Sequence, residues 1–251
     1  MTTALAMICE DGLVMGTDMK VTAGGRKWKD SKLLIEAKMD KCRLFFAVAG
    51  RTRHVTDAMS WMQLGNLGRV IGENPSFDDF LDKVVEIRLP QFSANYRQKY
   101  GEYPTIHMII GCIDKNKAPR LVEVYPDGDY DYKDDFISIG SGSIFGEILL
   151  RKLYNPTICI ALAKRLIGYI IWEIQEIDNN SGEGIQIVSS SKGGKVEKVD
   201  DLEIEVYKQL PPLITESYEA IRTRIECLNI DELKKEVSKF QEALKKVSKS
   251  Q

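Results

Sequence analysis

The chain has 251 residues, of which 43% are hydrophobic and 29% charged, so it is an ordinary globular protein of one large domain or two small ones. Its formal net charge of -2 provides no basic field for nucleic acid or an anionic membrane, and no apolar stretch approaches the ~20 residues of a transmembrane helix. Five scattered cysteines without a CxxC pair, and a start without a secretory signal, predict a cytoplasmic protein with reduced thiols.

The first segment, MTTALAMIC, places two threonines between the initiator methionine and an apolar run. Methionine aminopeptidases generally remove a methionine that precedes a residue as small as Thr2. Removal would leave Thr2 with an α-amine and a hydroxyl on the same residue, which together can act as base and nucleophile. The alternative is that Thr2 and Thr3 simply begin a β-strand.

The first half of the chain predicts a hairpin, a further strand and two helices. An Asp-Gly turn separates the first two apolar runs, which is a strong hairpin signal. A helical rhythm of apolar residues follows Gly50, and Ser76 is the predicted N-cap of the next helix. The predicted strands of this half lie at 3–9, 13–18 and 42–49, and SKLLI at 31–35 is a further strand-like run.

The second half repeats the pattern of strands followed by two helices. Its predicted strands lie at 106–113, 120–125, 136–140, 185–189 and 195–199. The helix after Asn155-Pro156 is apolar on nearly every face at its centre, which predicts burial. Because the helices are grouped and do not alternate strictly with strands, we predict a layered α+β fold with antiparallel sheets.

Histidine is too scarce to support most hydrolytic sites. His54 and His107 are the only two imidazoles, one near a predicted helix start and one inside a predicted strand. A multi-histidine metal site is therefore nearly excluded, and a hydrolase of this sequence needs a base other than histidine. We predict no metal and no cofactor.

Five landmarks occur in the order found in proteasome β-type subunits, which are N-terminal-nucleophile hydrolases. They are TTALAMICEDGLVMGTDMKVTAG, Lys32, FFAVAG, SIGSGS and DNNSG. The chain resembles that family over roughly residues 2–200. The resemblance implies a four-layer αββα sandwich, with two antiparallel sheets between helix pairs, as a domain at 2–210. A helical C-terminal extension would occupy 211–251, where Leu233, Val237, Phe240, Leu244 and Val247 form a heptad-like stripe.

The resemblance also implies a role for each matching residue. Thr2 would be the nucleophile with its own α-amine as base, Lys32 a catalytic cation held by Asp18, and the Gly50 N–H the oxyanion donor. Three residues would surround the terminal amine: Ser141, Asp178 and Ser181. An extended substrate would contact Thr22, Val48 and, in a second role, Gly50.

Each landmark has a plainer alternative. Asp18 is also an ordinary turn residue, GSGS a plain loop or a phosphate-binding helix start, and Asp178 with Ser181 a helix-end cap. The interval from Asp18 to Lys32 is shorter than usual in the family, so Lys27 and Lys29 are fallback candidates for the lysine.

The function implied is that of a threonine-type endopeptidase subunit of a self-compartmentalised, proteasome-like protease. Its partners would be related subunits in a homo- or hetero-oligomeric ring, an ATPase unfoldase and polypeptide substrates. The family position of Val48 implies a preference for an apolar side chain before the cleaved bond, whereas Arg51 and Arg53 nearby would instead favour acidic ones. The alternatives are another N-terminal-nucleophile amidase acting on small amides or specific peptides, and an inactive structural β-like subunit.

Overall fold

The computed structural model describes residues 2–23, 26–30, 32–39, 42–62 and 76–207; for those within 22–29 and 33–43 it describes only the backbone. The chain divides into two units, Met1–Lys208 and Gln209–Gln251, and every described residue belongs to the first. The predicted extension at 211–251, with its heptad-like stripe, lies outside the described residues.

The described residues form twelve β-strands and six α-helices. The strands are β1 Thr3–Cys9, β2 Gly12–Asp18, β3 Lys20–Ala23, β4 Arg26–Lys29, β5 Leu33–Met39, β6 Cys42–Gly50, β7 Ile106–Ile113, β8 Pro119–Val124, β9 Tyr130–Lys133, β10 Phe136–Gly140, β11 Ile185–Ser191 and β12 Val196–Lys198. The helices are α1 Thr52–Met62, α2 Phe77–Phe80, α3 Glu86–Tyr100, α4 Ser143–Leu153, α5 Ile160–Ile177 and α6 Asp201–Tyr207. A π-helical turn, Leu81–Val85, joins α2 to α3.

Among the described residues the strands form two five-stranded antiparallel sheets and one two-stranded ribbon. The order in the first sheet is β10-β1-β2-β11-β12, and the order in the second is β5-β6-β7-β8-β9. Strands β3 and β4 form the ribbon. Strand β1 therefore lies inside the first sheet, with β10 on one side and β2 on the other.

The two sheets pack face to face, and helices cover their outer faces. Apolar side chains of different sizes fill the space between the sheets, including Ala4 and Met15 from the first and Phe45 and Ile109 from the second. Helices α1, α2 and α3 cover the second sheet through a separate apolar cluster. Helices α4 and α5 pack on the first sheet, where Gly16 lets α5 approach β2 closely. The predicted four-layer αββα sandwich is confirmed.

Most predicted elements are present with shifts of one or two residues at their ends. Ser76 is the N-cap of α2, and a capping box with Asp79 closes this end. The centre of α5 is buried as predicted, but Leu162 and Ile177 near its ends are exposed. Strands β3, β4 and β9 and helix α6 were not predicted from the sequence. The three strands are short and rich in charged or polar side chains, so they lack the apolar alternation of a half-buried strand.

Candidate active site

The chain start is held at the corner where β10 turns into α4. The Thr2 carbonyl oxygen accepts a hydrogen bond from the Ser141 N–H at 2.8 Å, and Thr2 is 4% exposed. Gly140 has a φ of +95°, and a Cβ there would overlap the Thr2 carbonyl oxygen. The glycine of the GSGS segment therefore lets the backbone of β10 pass close to Thr2.

Thr3 is bound on both its backbone and its side chain. Its N–H donates to Asp18 Oδ1 at 2.9 Å, and its Oγ1 lies 2.5 Å from Ser181 Oγ. Asp18 is at the end of β2, the strand that pairs with β1, so the hairpin itself brings this carboxylate to the chain start. Of the two adjacent threonines, Thr3 thus has its hydroxyl engaged with the serine of the DNNSG segment.

A buried ion pair joins Lys32 to Asp18. Lys32 Nζ donates to Asp18 Oδ1 at 2.8 Å, and the two side chains are 8% and 0% exposed. The second carboxylate oxygen, Oδ2, accepts from the backbone N–H groups of Lys20 at 3.2 Å and Gly182 at 3.1 Å. With four donors including the Thr3 N–H, the carboxylate is well satisfied for a buried charge.

Burial lowers the pKa of Lys32, and the attraction of Asp18 opposes this shift. The lysine is thereby a cation whose proton is held less tightly than in water, and its partner Asp18 binds the Thr3 N–H, one residue after Thr2. Such a group can stabilise a developing negative charge and can also exchange a proton with a neighbour.

A second carboxylate, Asp178, organises the other side of the chain start. Its Oδ2 accepts from Ser141 Oγ at 2.6 Å and from Ser181 Oγ at 3.1 Å, and its Oδ1 accepts from the Asn180 N–H at 2.9 Å. Burial alone would raise the pKa of Asp178, but the hydrogen bonds from Ser141, Asn180 and Ser181 outweigh it and hold the pKa below its usual value. A charged Asp178 fixes the orientation of both serine hydroxyls.

Gly50 ends β6 in a conformation that a side chain would not allow. Its φ is +141°, and a Cβ there would overlap the carbonyl oxygen of Thr105. Gly50 pairs with Ile106 at the end of the β6–β7 ladder. Val48, two residues earlier, is buried, and its N–H donates to the Lys32 carbonyl oxygen at 3.3 Å, which ties β6 to the lysine segment.

One hydrogen-bonded network unites most of the residues predicted from the sequence. It includes Thr2, Asp18, Lys32, Ser141, Asp178 and Ser181. Thr22 lies on β3 and the fallback lysines Lys27 and Lys29 on β4, all three with only the backbone described. Among the lysines whose side chains the structure describes, Lys32 is the one whose ammonium group contacts Asp18.

Lys20 and Gln186 also join this network and were not predicted. Lys20 is buried and donates through Nζ to the carbonyl oxygens of Asn179 at 2.5 Å and Ser181 at 3.3 Å, which anchors the segment after α5. Gln186 accepts the Lys32 N–H through its Oε1 at 3.2 Å. Nothing in the sequence distinguished Lys20 from other lysines, although its place two residues after Asp18 puts both at the same end of the sheet.

Metal-binding clusters and membrane segments are both absent from the described residues. Those residues contain no group of three or more histidine, cysteine or acidic side chains that could hold a metal ion. None of the described helices combines the length and apolar content that a membrane crossing needs. The predictions of no cofactor and of a cytoplasmic location stay predictions.

Comparison with known proteins gives a consistent result. The family model described as "Proteasome subunit" matches residues 1–189. The chain is 28% identical to a proteasome subunit beta of Methanococcus vannielii over 206 residues, which cover 81% of this chain and 89% of the relative. It is 22% identical to a proteasome subunit beta of Archaeoglobus fulgidus over 204 residues, covering 74% and 84% respectively.

Solved structures share the same fold at low sequence identity. Anbu (ancestral beta-subunit) from Yersinia bercovieri superposes with a TM-score of 0.75 at 14% identity, covering 87% of this chain and 97% of that one. A Gly-1 mutant of Anbu from Hyphomicrobium sp. superposes with a TM-score of 0.75 at 19% identity, covering 90% and 100%. These structures establish a common architecture for the two layers of sheet and the two layers of helix.

Proposed function

Because the chain belongs to the proteasome subunit family, a family of proteasome-like proteases, we propose that it is a threonine-type endopeptidase subunit with Thr2 as its nucleophile. The observation that supports this proposal most strongly is the hydrogen-bonded network around the chain start. The Thr3 N–H joins the chain start to the buried lysine–carboxylate pair, and the Thr2 carbonyl oxygen joins it to the serine–carboxylate cluster.

In this proposal, removal of Met1 gives Thr2 a free α-amine. The amine has an ordinary pKa of about 7.7–8.0, so a useful fraction is neutral near pH 7 and can accept the proton of the Thr2 hydroxyl. The hydroxyl oxygen then attacks the carbonyl carbon of the peptide bond. The buried Lys32 cation, held by Asp18, lowers the cost of the negative charge that develops on the oxygen.

The tetrahedral intermediate places its oxyanion at the Gly50 N–H, where the missing side chain allows close approach. The protonated α-amine gives its proton to the leaving nitrogen, and the C–N bond breaks to leave an ester on the Thr2 oxygen. Water, deprotonated by the same amine, hydrolyses that ester and restores the hydroxyl. Ser141 and Ser181, oriented by Asp178, form the polar surroundings of the amine.

The substrate in this proposal is an extended polypeptide that adds a strand between the Thr22 segment and the Gly50 segment. The subunit assembles with related subunits into a ring, as its family membership suggests. One structural neighbour, the Anbu complex from Pseudomonas aeruginosa, forms a helical assembly. Exposed apolar side chains on α4, namely Ile144, Phe145 and Ile148, offer this chain a surface for subunit contacts. An ATPase unfoldase completes the proposal as the partner that delivers substrate.

The test uses full-length protein from which Met1 has been removed, as verified by intact-mass measurement. An epoxyketone peptide carries two electrophilic carbons and can bond to both the hydroxyl and the amine of a terminal threonine. We expect one adduct, mapped by fragmentation to Thr2, with parallel loss of peptide hydrolysis. The Thr2→Val variant should give neither adduct nor turnover.

Three outcomes would overturn the proposal. An active enzyme that hydrolyses peptides without forming the Thr2 adduct would place the nucleophile elsewhere. A Met-free, folded protein that neither reacts nor cleaves peptides would favour an inactive structural subunit, whereas cleavage of small amides alone would favour another amidase of the same fold.

A further inference from the structure

His54 is a buried residue that follows Gly50 closely in the chain and takes part in no step of the proposed reaction. It stands on the first turn of α1, four residues after Gly50, and is 4% exposed. Its Nδ1 accepts the Thr105 N–H at 2.8 Å, and its Nε2 lies 2.7 Å from Tyr96 Oη on α3. Because Nδ1 accepts, the ring is the neutral tautomer with its proton on Nε2, which donates to the tyrosine oxygen.

Thr105 is the residue against which Gly50 packs. A Cβ on Gly50 would overlap the Thr105 carbonyl oxygen, and this same oxygen accepts the Arg51 N–H at 3.2 Å. The β6–β7 ladder ends at the next pair, Gly50 with Ile106. The Thr105 N–H is therefore bound by His54 of α1, and the Thr105 carbonyl oxygen is bound by Arg51, the residue between Gly50 and α1.

We propose that His54 is a positioning residue: its neutral imidazole holds Thr105 in place, and Thr105 in turn fixes the backbone of Gly50 and the direction of its N–H. This inference rests on the proposed function, in which that N–H receives the oxyanion. A misplacement of about 1 Å at a reacting group can cost about 100-fold in rate, so a residue without substrate contact can still control turnover.

The surroundings of His54 favour the neutral form that this role needs. Burial lowers the pKa of His54, and Arg51 and Arg53 lower it further, whereas Glu102 and Asp57 oppose the shift. Tyr96, on the packed face of α3, accepts from the neutral ring. Protonation would put a hydrogen on Nδ1, where it would face the Thr105 N–H and remove the acceptor.

A pair of substitutions separates the two contacts of the ring. In His54→Asn the side-chain oxygen can occupy the place of Nδ1 and accept from Thr105, but it cannot reach Tyr96. In His54→Gln the amide reaches the place of Nε2 and Tyr96, and the Thr105 N–H loses its acceptor. We expect His54→Asn to retain kcat within about threefold and His54→Gln to lose about 100-fold in kcat with little change in KM.

A second measurement follows the amide hydrogen exchange of Thr105 and needs no catalytic activity. We expect faster exchange at this amide in His54→Gln, near wild-type exchange in His54→Asn, and no change at Met108 in the middle of β7. If the wild-type protein cleaves no peptide, the proposed function fails while this measurement still decides the role of His54.

The same measurement on the wild-type protein covers the case in which neither variant folds. After correction for intrinsic rates, Thr105 should lose protection between pH 7 and pH 5 more than Met108 does.

Equal losses of kcat in both variants would overturn the proposal. So would a His54→Gln variant that keeps kcat while Thr105 exchanges freely, or wild-type protection at Thr105 that does not change with pH.

Discussion

At the scale of single residues, the two adjacent threonines have different surroundings. Thr3 uses its N–H for Asp18 and its hydroxyl for Ser181, so its side chain is part of the scaffold. The Thr2 carbonyl oxygen accepts a hydrogen bond from the Ser141 N–H, so the backbone of Thr2 is held next to the more fully bound Thr3. The sequence TTA therefore contains a structural residue and a candidate nucleophile side by side.

Substituting each threonine in turn should separate these roles. Thr3→Val keeps the backbone bond to Asp18 but removes the hydroxyl beside Ser181, and we expect it to cost about 1–2 kcal/mol in unfolding free energy. The variant should still form the epoxyketone adduct on Thr2. Thermal unfolding and intact-mass measurement check the two parts, and an adduct on residue 3 in a Thr2→Val protein would reverse the assignment.

Lys32 offers a second prediction at this scale. Lys32→Met should lower kcat by about 100-fold or more because the cation beside the nucleophile is lost. It should also cost about 3 kcal/mol in stability, because Asp18 keeps a buried charge without its partner. We expect Lys32→Arg to restore stability only in part and activity hardly at all, since a planar guanidinium needs different space.

Lys29→Ala is the matched control for Lys32, since this lysine was the fallback candidate in the sequence. Peptide hydrolysis should be unaffected by Lys29→Ala when measured well below the unfolding temperature. Loss of activity in Lys29→Ala together with retention in Lys32→Met would show that the lysine was assigned wrongly.

The candidate site residues were chosen because their order along the chain matches a family, whereas their hydrogen bonds were not predictable from the sequence. Spacing alone did not separate Lys32 from Lys29 or Lys27, and the 2.8 Å contact of Lys32 Nζ with Asp18 is visible only in three dimensions. The bond between Thr3 and Ser181 joins residues 178 positions apart. Such contacts depend on how the strands are arranged in the sheet, which local patterns do not encode.

At the scale of elements, α1 and α3 are linked through His54 and Tyr96, which gives their packing a dependence on pH. Burial, aided by Arg51, lowers the folded-state pKa of His54 below the ordinary value of about 6.5. Below that value the unfolded chain binds a proton that the folded chain does not, so stability decreases as the pH falls. The contribution of the neutral ring is complete above about pH 6.5 and declines as the pH falls towards the lowered pKa.

Urea unfolding at several pH values checks this prediction. The stability difference between the wild-type protein and His54→Asn should be largest near pH 7.5 and should shrink as the pH is lowered to 5. Because both proteins carry the same other titrating groups, the difference isolates His54. A difference that does not change with pH would mean that the ring does not titrate between the folded and unfolded states in this range.

Elements with a strong apolar pattern were predicted well, and those without one were missed. Strand β10, FISIG, was placed with its true bounds because it lies between turn signals and alternates in burial. Strand β4, RKWK, carries three basic residues in four and forms a ribbon with β3, outside the two large sheets. Its strand conformation follows from pairing with β3, and no local propensity predicts it.

At the scale of the whole molecule, the layered fold followed from the grouping of strands and helices, but the order of strands in each sheet did not. The neighbours β10 and β1 are separated in the chain by the entire second sheet and its helices. The apolar stripe from Leu233 to Val247, in the helical extension predicted at 211–251, has two candidate roles: it joins subunits, or it packs on its own subunit.

Truncation after Asn229 tests that extension separately from the β-like domain. If the stripe joins subunits, we expect the truncated protein to fold but to have a smaller mass by light scattering. If the stripe packs on its own subunit, the mass should be unchanged and the melting temperature lower. A full-length protein that is monomeric at micromolar concentration and still degrades casein would contradict a ring-forming assembly.

The 178-residue separation of Thr3 and Ser181 also determines how late in synthesis the contact between them can form. A ribosome adds about 5–20 residues per second, so on the order of 10–40 s pass between synthesis of the first strand and synthesis of the serine that completes its surroundings. During that interval the nascent polypeptide contains the threonines without Asp178 or Ser181. If the proposed function is right, the order of synthesis delays formation of the active site until nearly the whole domain has been made.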